Sequence, residues 1–238
     1  MSQPNRQPHS QPPAVPKSPL SASDYATLDT RDMSAAIAYR LLTGVVVPRP
    51  IAWISTCNAQ GSTVNLAPFS SFNYVAHDPP MLAVNINRNE DGSLKDSARN
   101  IEATQEFVVN MPAVDTVDVL NASSQPWPSD VSEADVLGIA LLPSVRVTPP
   151  RIALSHAQME CRLCHRLELG RSSTSPGSDI PGDNIPGTNI LYIGEVMAFH
   201  LAHTLFDGQR VNGQALNPLS RLGGPFYGTV GRAWMAQA

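Results

Sequence analysis

Six short segments set the pattern of this chain, at 45–56, 63–70, 81–87, 106–111, 157–169 and 190–201. Each is rich in β-branched or alternating apolar residues, and Pro, Gly and Asn separate them. Short strands with that punctuation fold as an antiparallel barrel or sandwich. Helical character is confined to three stretches. Residues 32–42 read as a helix with Asp32 at its N-cap and Gly44 at its end, and 97–105 and 115–122 read as two more. Residues 171–188, rich in Gly, Pro and Ser, read as a long loop between the last two strands, of the kind that is either functional or poorly ordered.

The first 22 residues belong to a different class of sequence. Pro4, Pro8, Pro12, Pro13, Pro16 and Pro19 stand among Gln and Ser with almost no large apolar side chain. Such a stretch buries too little surface to offset its ordering, so residues 1–22 are expected to form a polyproline-like tail and 23–238 the folded domain. The tail has no apolar stretch of the secretory kind, which places the chain in the cytoplasm with its three cysteines as thiols. A net charge of −4 and a pI near 5.8 give no footprint for nucleic acid, and no run approaches a membrane span. Only 15% of residues are charged, against about 25% in ordinary domains. That shortage of solvated faces implies an oligomer.

The common chemical signatures are missing. The chain has neither G-x-G-x-x-G nor G-x-x-x-x-G-K-[ST], and no G-x-S-x-G nucleophile turn. Cys161-Arg162-Leu163-Cys164-His165 matches the C-x-x-C-H string of covalent haem attachment. It lies, however, in an alternating strand pattern, with Met159, Cys161, Leu163, His165, Leu167 and Leu169 on a mainly apolar face and Glu160, Arg162, Cys164, Arg166 and Glu168 on a charged one. Successive strand side chains point to opposite faces, so the two cysteines share neither a metal nor a disulfide. His200 and His203 are separated in the same way.

Two stretches remain. Lys95-Asp96-Ser97 opens a helical segment, where unpaired N–H groups, a full positive charge and a hydroxyl suit a phosphate. The ordinary reading is a cap by Asp96 or Ser97 beside a solvated lysine. Residues 65–73 place Asn65, Ser70 and Ser71 around Pro68, which interrupts strand pairing.

The order of these pieces is more specific than any of them. Pro48-Arg49-Pro50-Ile51-Ala52-Trp53-Ile54-Ser55-Thr56 precedes Asn65-Leu66-Ala67-Pro68-Phe69-Ser70-Ser71-Phe72-Asn73. Asp78-Pro79-Pro80, Lys95-Asp96-Ser97, Glu106-Phe107-Val108-Val109-Asn110, Gly194-Glu195-Val196 and Arg221-Leu222-Gly223-Gly224-Pro225-Phe226-Tyr227 follow. This string, over roughly residues 35–230, resembles the flavin reductase-like family of FMN-binding split barrels. The resemblance implies a mainly β fold, a six-stranded Greek-key split barrel with flanking helices, forming a homodimer with FMN near the interface. It implies that Arg49, Trp53, Ile54, Ser55 and Thr56 belong to the flavin site. It also implies that Asn65, Leu66 and Ala67 offer backbone groups to the ring, and that Ser70, Ser71, Lys95, Asp96 and Ser97 lie at the phosphate. Arg221 and Tyr227 close over the site. Ser97 stands where threonine is commoner in the family, and its hydroxyl preserves the donor.

The activity so implied is NAD(P)H-dependent flavin reduction, with NADH or NADPH as donor and reduced FMN passed to a monooxygenase. Two alternatives stay open: an enzyme that holds FMN and acts directly on an organic substrate, and a non-catalytic flavin-binding module.

Overall fold

The structure, a computed structural model, describes residues 20–170 and 188–231. The chain divides into two compact units, residues 1–41 and 42–238. In the first, two 3-10 turns (Ala22–Asp24 and Thr30–Asp32) precede helix α1 (Ala35–Val45), which continues beyond it. The second turn ends at Asp32, two residues before the position that precedes the helix, Ser34, whose hydroxyl accepts the Ile37 N–H at 3.3 Å. The helix also does not stop at Gly44, so Val45 is helical and the expected strand from 45 begins only at Arg49.

The second unit opens with β1 (Arg49–Pro50), β2 (Ala52–Cys57), β3 (Val64–Phe69), β4 (Phe72–His77) and β5 (Pro80–Asn87). Helix α2 (Asp96–Thr104), β6 (Glu106–Asn110), α3 (Val117–Ala122) and α4 (Glu133–Leu137) follow. The chain continues through β7 (Leu141–Leu142), β8 (Arg151–Ile152), β9 (Ala157–Leu169) and β10 (Asn189–Leu201). It then forms α5 (Gly213–Leu216), β11 (Ser220–Arg221) and β12 (Tyr227–Gly228). The main sheet is antiparallel throughout, in the order β3-β2-β6-β9-β10-β5-β4; β1, β11 and β12 form a second sheet and β7 and β8 a third.

The main sheet has seven strands where the sequence pattern gave six. The extra strand is β4, at the sheet edge, with Asn73, Tyr74 and Val75 exposed. An edge strand facing water carries no apolar alternation, which is why it left no trace in the pattern. Most of residues 171–188 and of the 1–22 tail lie outside the described residues.

β2 organises the interior. All six of its residues are buried, because both of its faces are covered. Ala52 and Ile54 face one core with Val84, Phe107 and Tyr192, while Trp53 faces another with Leu66, Leu120 and Leu219. Gly194 on β10 sits where a Cβ would come within 2.6 Å of the Phe107 ring, so no other residue lets these strands approach as closely.

β9 departs from simple alternation. Cys161 is buried and Cys164 exposed, as the period-two pattern requires. Glu160, however, was expected on the solvated face and is fully buried. Its carboxylate accepts the Val145 N–H at 2.9 Å and the Arg146 N–H at 2.6 Å, and His200 Nε2 lies 2.6 Å away. The segment after β7 covers that face. His165, Leu167 and Leu169, expected on the apolar face, lie beyond the cover of either core and are exposed. The β9–β10 register shifts twice, between Ile193 and Gly194 and between Val196 and Ala198.

Candidate functional site

β3 is an edge strand of the main sheet, and two elements are tied to it by buried polar contacts. The Asn65 side chain donates from Nδ2 to Ser97 Oγ at 2.8 Å, joining β3 to the first turn of α2. The Leu66 N–H donates to Glu133 Oε2 at 2.8 Å, joining β3 to α4. A cleft of about 340 Å³ opens between these elements and the segment 123–127 that leaves α3.

The α2 side of the cleft is suited to receive negative charge. Lys95 occupies the N-cap of α2 with extended backbone, and no side chain caps the helix there. The expected cap by Asp96 or Ser97 is therefore not made: Asp96 pairs with Arg99, and Ser97 accepts from Asn65. A helix start without a side-chain cap leaves backbone donors pointing outward with a partial positive charge. Lys95 is exposed beside them, while Ser97 is buried, and both line the cleft.

The opposite character appears at Glu133, which is buried and also on the cleft wall. Burial pushes its carboxyl above the usual carboxylate range, opposed by the Leu66 N–H and its own backbone N–H.

The structure brings together some of the residues singled out in the sequence and separates others. Asn65, Ala67, Lys95, Asp96 and Ser97 line the cleft, and Leu66 borders it through Glu133. Trp53, Ile54, Ser55 and Thr56 do not line it; they have no exposed surface. Turning Trp53 or Ile54 out to meet a ligand would forfeit about 1.5–3 kcal/mol of apolar burial each. The polar groups of this strand are engaged as well. Trp53 Nε1 donates to Ser123 Oγ at 3.0 Å, Ser55 Oγ donates to the Pro150 carbonyl at 2.5 Å, and Thr56 Oγ1 accepts from Asn100 at 3.1 Å. Ser70 and Ser71 form the bend between β3 and β4 and are not among the lining residues, though Phe69 beside them is.

Arg49, Arg221 and Tyr227 form a separate brace. Arg49 pairs with Arg221 across β1 and β11, and its guanidinium donates to the carbonyls of Thr43, Val46 and Leu222. Arg221 stacks on the Tyr227 ring at 4.5 Å and donates to its hydroxyl, which in turn donates to Asn121 Oδ1 at 2.5 Å. Asn121 lies two residues before Ser123, where the cleft wall begins, so the brace is tied to the chain just before that wall.

Sequence reasoning missed the wall itself: Ser123, Ser124, Gln125, Trp127 and Glu133. A signal was present. Ser132 with Asp135 three residues on is a helix-start pattern, and the Ser132 hydroxyl does accept the Asp135 N–H, at 3.4 Å. That start places Glu133 in a first turn, though nothing local shows that it reaches Leu66. Among the described residues no cluster of His, Cys, Asp or Glu has the makings of a metal site.

Comparison with known proteins agrees with this architecture. Residues 44–215 match the profile of the flavin reductase like domain. Among solved structures, nitrilotriacetate monooxygenase component B from Bacillus cereus is 29% identical, with a TM-score of 0.80, covering 89% of this chain and 98% of that one. The 2-nitrobenzoate 2-nitroreductase of Pseudomonas fluorescens is 27% identical, with a TM-score of 0.75, covering 90% of this chain and 96% of that one. A protein with a split barrel domain from Shewanella frigidimarina is 16% identical with a TM-score of 0.68, covering 87% of this chain and 95% of that one, a likeness of fold alone. The fold is the mainly β split barrel, and the chain belongs to the flavin reductase like family of flavin-related oxidoreductases.

Proposed function

We propose that the cleft beside β3 binds FMN and that the protein is an NAD(P)H-dependent flavin reductase supplying reduced FMN to a separate monooxygenase. The observation that carries this reading is the α2 start: a helix N-terminus without a side-chain cap, with Lys95 exposed and Ser97 buried, on the wall of a cleft of about 340 Å³. Those donors fit a single phosphate monoester without a phosphate-binding glycine loop. Lys95 and Ser97 hold the phosphate, and the backbone of 65–67 faces the ring. The four residues 53–56 act behind the site by fixing β2 against β3, Ser70 and Ser71 link β3 to β4, and Arg49, Arg221 and Tyr227 brace the wall at Asn121. When bound, FMN supplies the two-electron chemistry, accepting hydride from a nicotinamide. The chain need provide only orientation, a dry ring face and the electrostatics of the cleft. Nicotinamide donors and three free cysteines fit a cytoplasmic protein.

The test is anaerobic mixing of the FMN-loaded protein with NADH and with NADPH, following loss of flavin absorbance. Bleaching by one or both is expected; FMN binding with no bleaching by either donor supports the non-catalytic module instead. The likeness to a nitroreductase favours a second reading, in which FMN stays bound and reduces an organic substrate directly. Under that reading the reduced protein keeps its flavin through gel filtration and is reoxidised by a nitroaromatic compound.

We also infer a homodimer. The low charged fraction and the exposed apolar residues Tyr74 and Val75 on edge strand β4 support it. Sedimentation should give twice the chain mass, and a monomer at all concentrations would contradict the dimer.

A further inference from the structure

A carboxylate is among the last groups a protein buries, because removing its charge from water is costly unless a partner compensates. Glu133 is only 6% exposed, and no cation pairs with it among the described residues. Its compensation is the Leu66 N–H. β3 is an edge strand whose only neighbour in the sheet is β2, and residues two apart on a strand point the same way. Leu66 turns its N–H away from β2 toward Glu133, and the next residue in that orientation, Pro68, has no N–H to give. Along this stretch the outward edge of β3 therefore has one donor, already used, and otherwise carbonyl oxygens. The cleft wall carries charge of both signs, with Lys95 at the α2 start and Glu133 beside an acceptor edge.

We propose that Glu133 is a positioning residue that also sets the redox preference of the flavin site. Held against Leu66, it fixes the backbone of 65–67 and, when ionised, places negative charge beside that backbone. The site then holds reduced, anionic flavin less tightly than oxidised flavin. This rests on the reading of the cleft as an FMN site and gives that reading a direction: a reductase that hands flavin on must let the reduced form go. The other charged groups on the cleft wall are Lys95 and Asp96, with Asp135 on Glu133's own helix. Lys95 faces the phosphate and Asp96 is neutralised by Arg99, which leaves Glu133 as the charge that discriminates between ring states.

The test compares the parent with Glu133→Gln, which keeps an oxygen acceptor for Leu66 and removes the charge. Affinities for oxidised FMN and for chemically reduced FMN are measured anaerobically at mildly alkaline pH, which favours the ionised carboxylate against the upward push of burial. The ratio of the two affinities should move roughly tenfold toward the reduced form in the variant, about 30 mV in the two-electron potential of bound flavin. Glu133→Asp, which keeps the charge, should stay near the parental ratio and serves as the comparison if the glutamine variant is unstable. An unchanged ratio in a Glu133→Gln protein that still binds oxidised FMN overturns the proposal. A parent that binds no FMN overturns the proposed function itself.

Discussion

Replacing Lys95 by alanine lowers FMN affinity roughly ten- to a hundredfold and leaves the fold intact. The magnitude is that of one charge-assisted contact, about 1.5–3 kcal/mol, converted to affinity. The selectivity follows from where Lys95 sits. It is exposed at the N-cap of α2, its side chain makes no cap hydrogen bond, and its extended backbone suits alanine as well as lysine. Exposed substitutions of that kind usually shift stability by less than about 0.5 kcal/mol. Ser97 behaves differently, because it is buried and bonded to Asn65, so its removal would disturb β3 and α2 together. Titration of the variant with FMN, alongside its thermal midpoint, checks both halves of the expectation. The affinity gap between parent and variant should narrow as salt is added, since an exposed charge is screened. Parental affinity in the alanine variant would mean that Lys95 is only a solvated lysine.

Glu160→Gln destabilises the folded protein by about 3 kcal/mol, in the range found when one member of a buried charged cluster is lost. The fully buried carboxylate receives two backbone N–H groups, from Val145 and Arg146, with His200 2.6 Å away. An amide offers one acceptor oxygen, and its NH2 meets an N–H donor where the second carboxylate oxygen accepted one. The loss would loosen the segment between β7 and β8, which is also held where Glu106 accepts the Thr148 N–H at 2.8 Å and Ser55 donates to Pro150.

The same cluster fixes a pH dependence. Burial disfavours the charged form of Glu160, but the Val145 N–H, His200 and the Arg146 N–H together outweigh it, so the carboxyl is held below its usual range. A depressed native value contributes stability above the unfolded value and loses it as pH falls through the native one. Denaturant midpoints of parent and variant should therefore differ most near neutrality and converge in acid. A gap that stays constant across that range would contradict the assignment.

How much of this was legible in the sequence depended on whether the cause was local. Strands β3, β5, β6, β9 and β10 were readable because one or both of their faces are buried and their apolar residues recur at strand period. Cys161 and Cys164 fell on opposite sides for the same reason. β4 was invisible because its exposed residues obey no pattern, and Gly44 misled because α1 tolerates a glycine one residue before its end. Glu160 looked solvated because its covering segment lies some fifteen residues earlier in the chain, for example at Val145.

The site divides along the same line. Lys95 and Ser97 could be singled out because a helix start is a local signal. The residues 53–56 took their expected role from resemblance, and the structure finds their side chains inside, where β2 is covered on both faces. The far wall at 123–127 had no local chemistry to announce it, and Glu133 had only the helix start at Ser132. That wall exists only because α3 and α4 pack against β3, a long-range fact.

The central claim is that the cleft between β3, the α2 start and residues 123–127 is the FMN site. Diffraction from crystals of the protein grown with FMN tests it most directly. The account predicts phosphate density within hydrogen-bonding reach of Lys95 and Ser97, with the ring along the backbone of 65–67 toward Glu133. Phosphate density elsewhere, with the α2 start left to solvent, would contradict it.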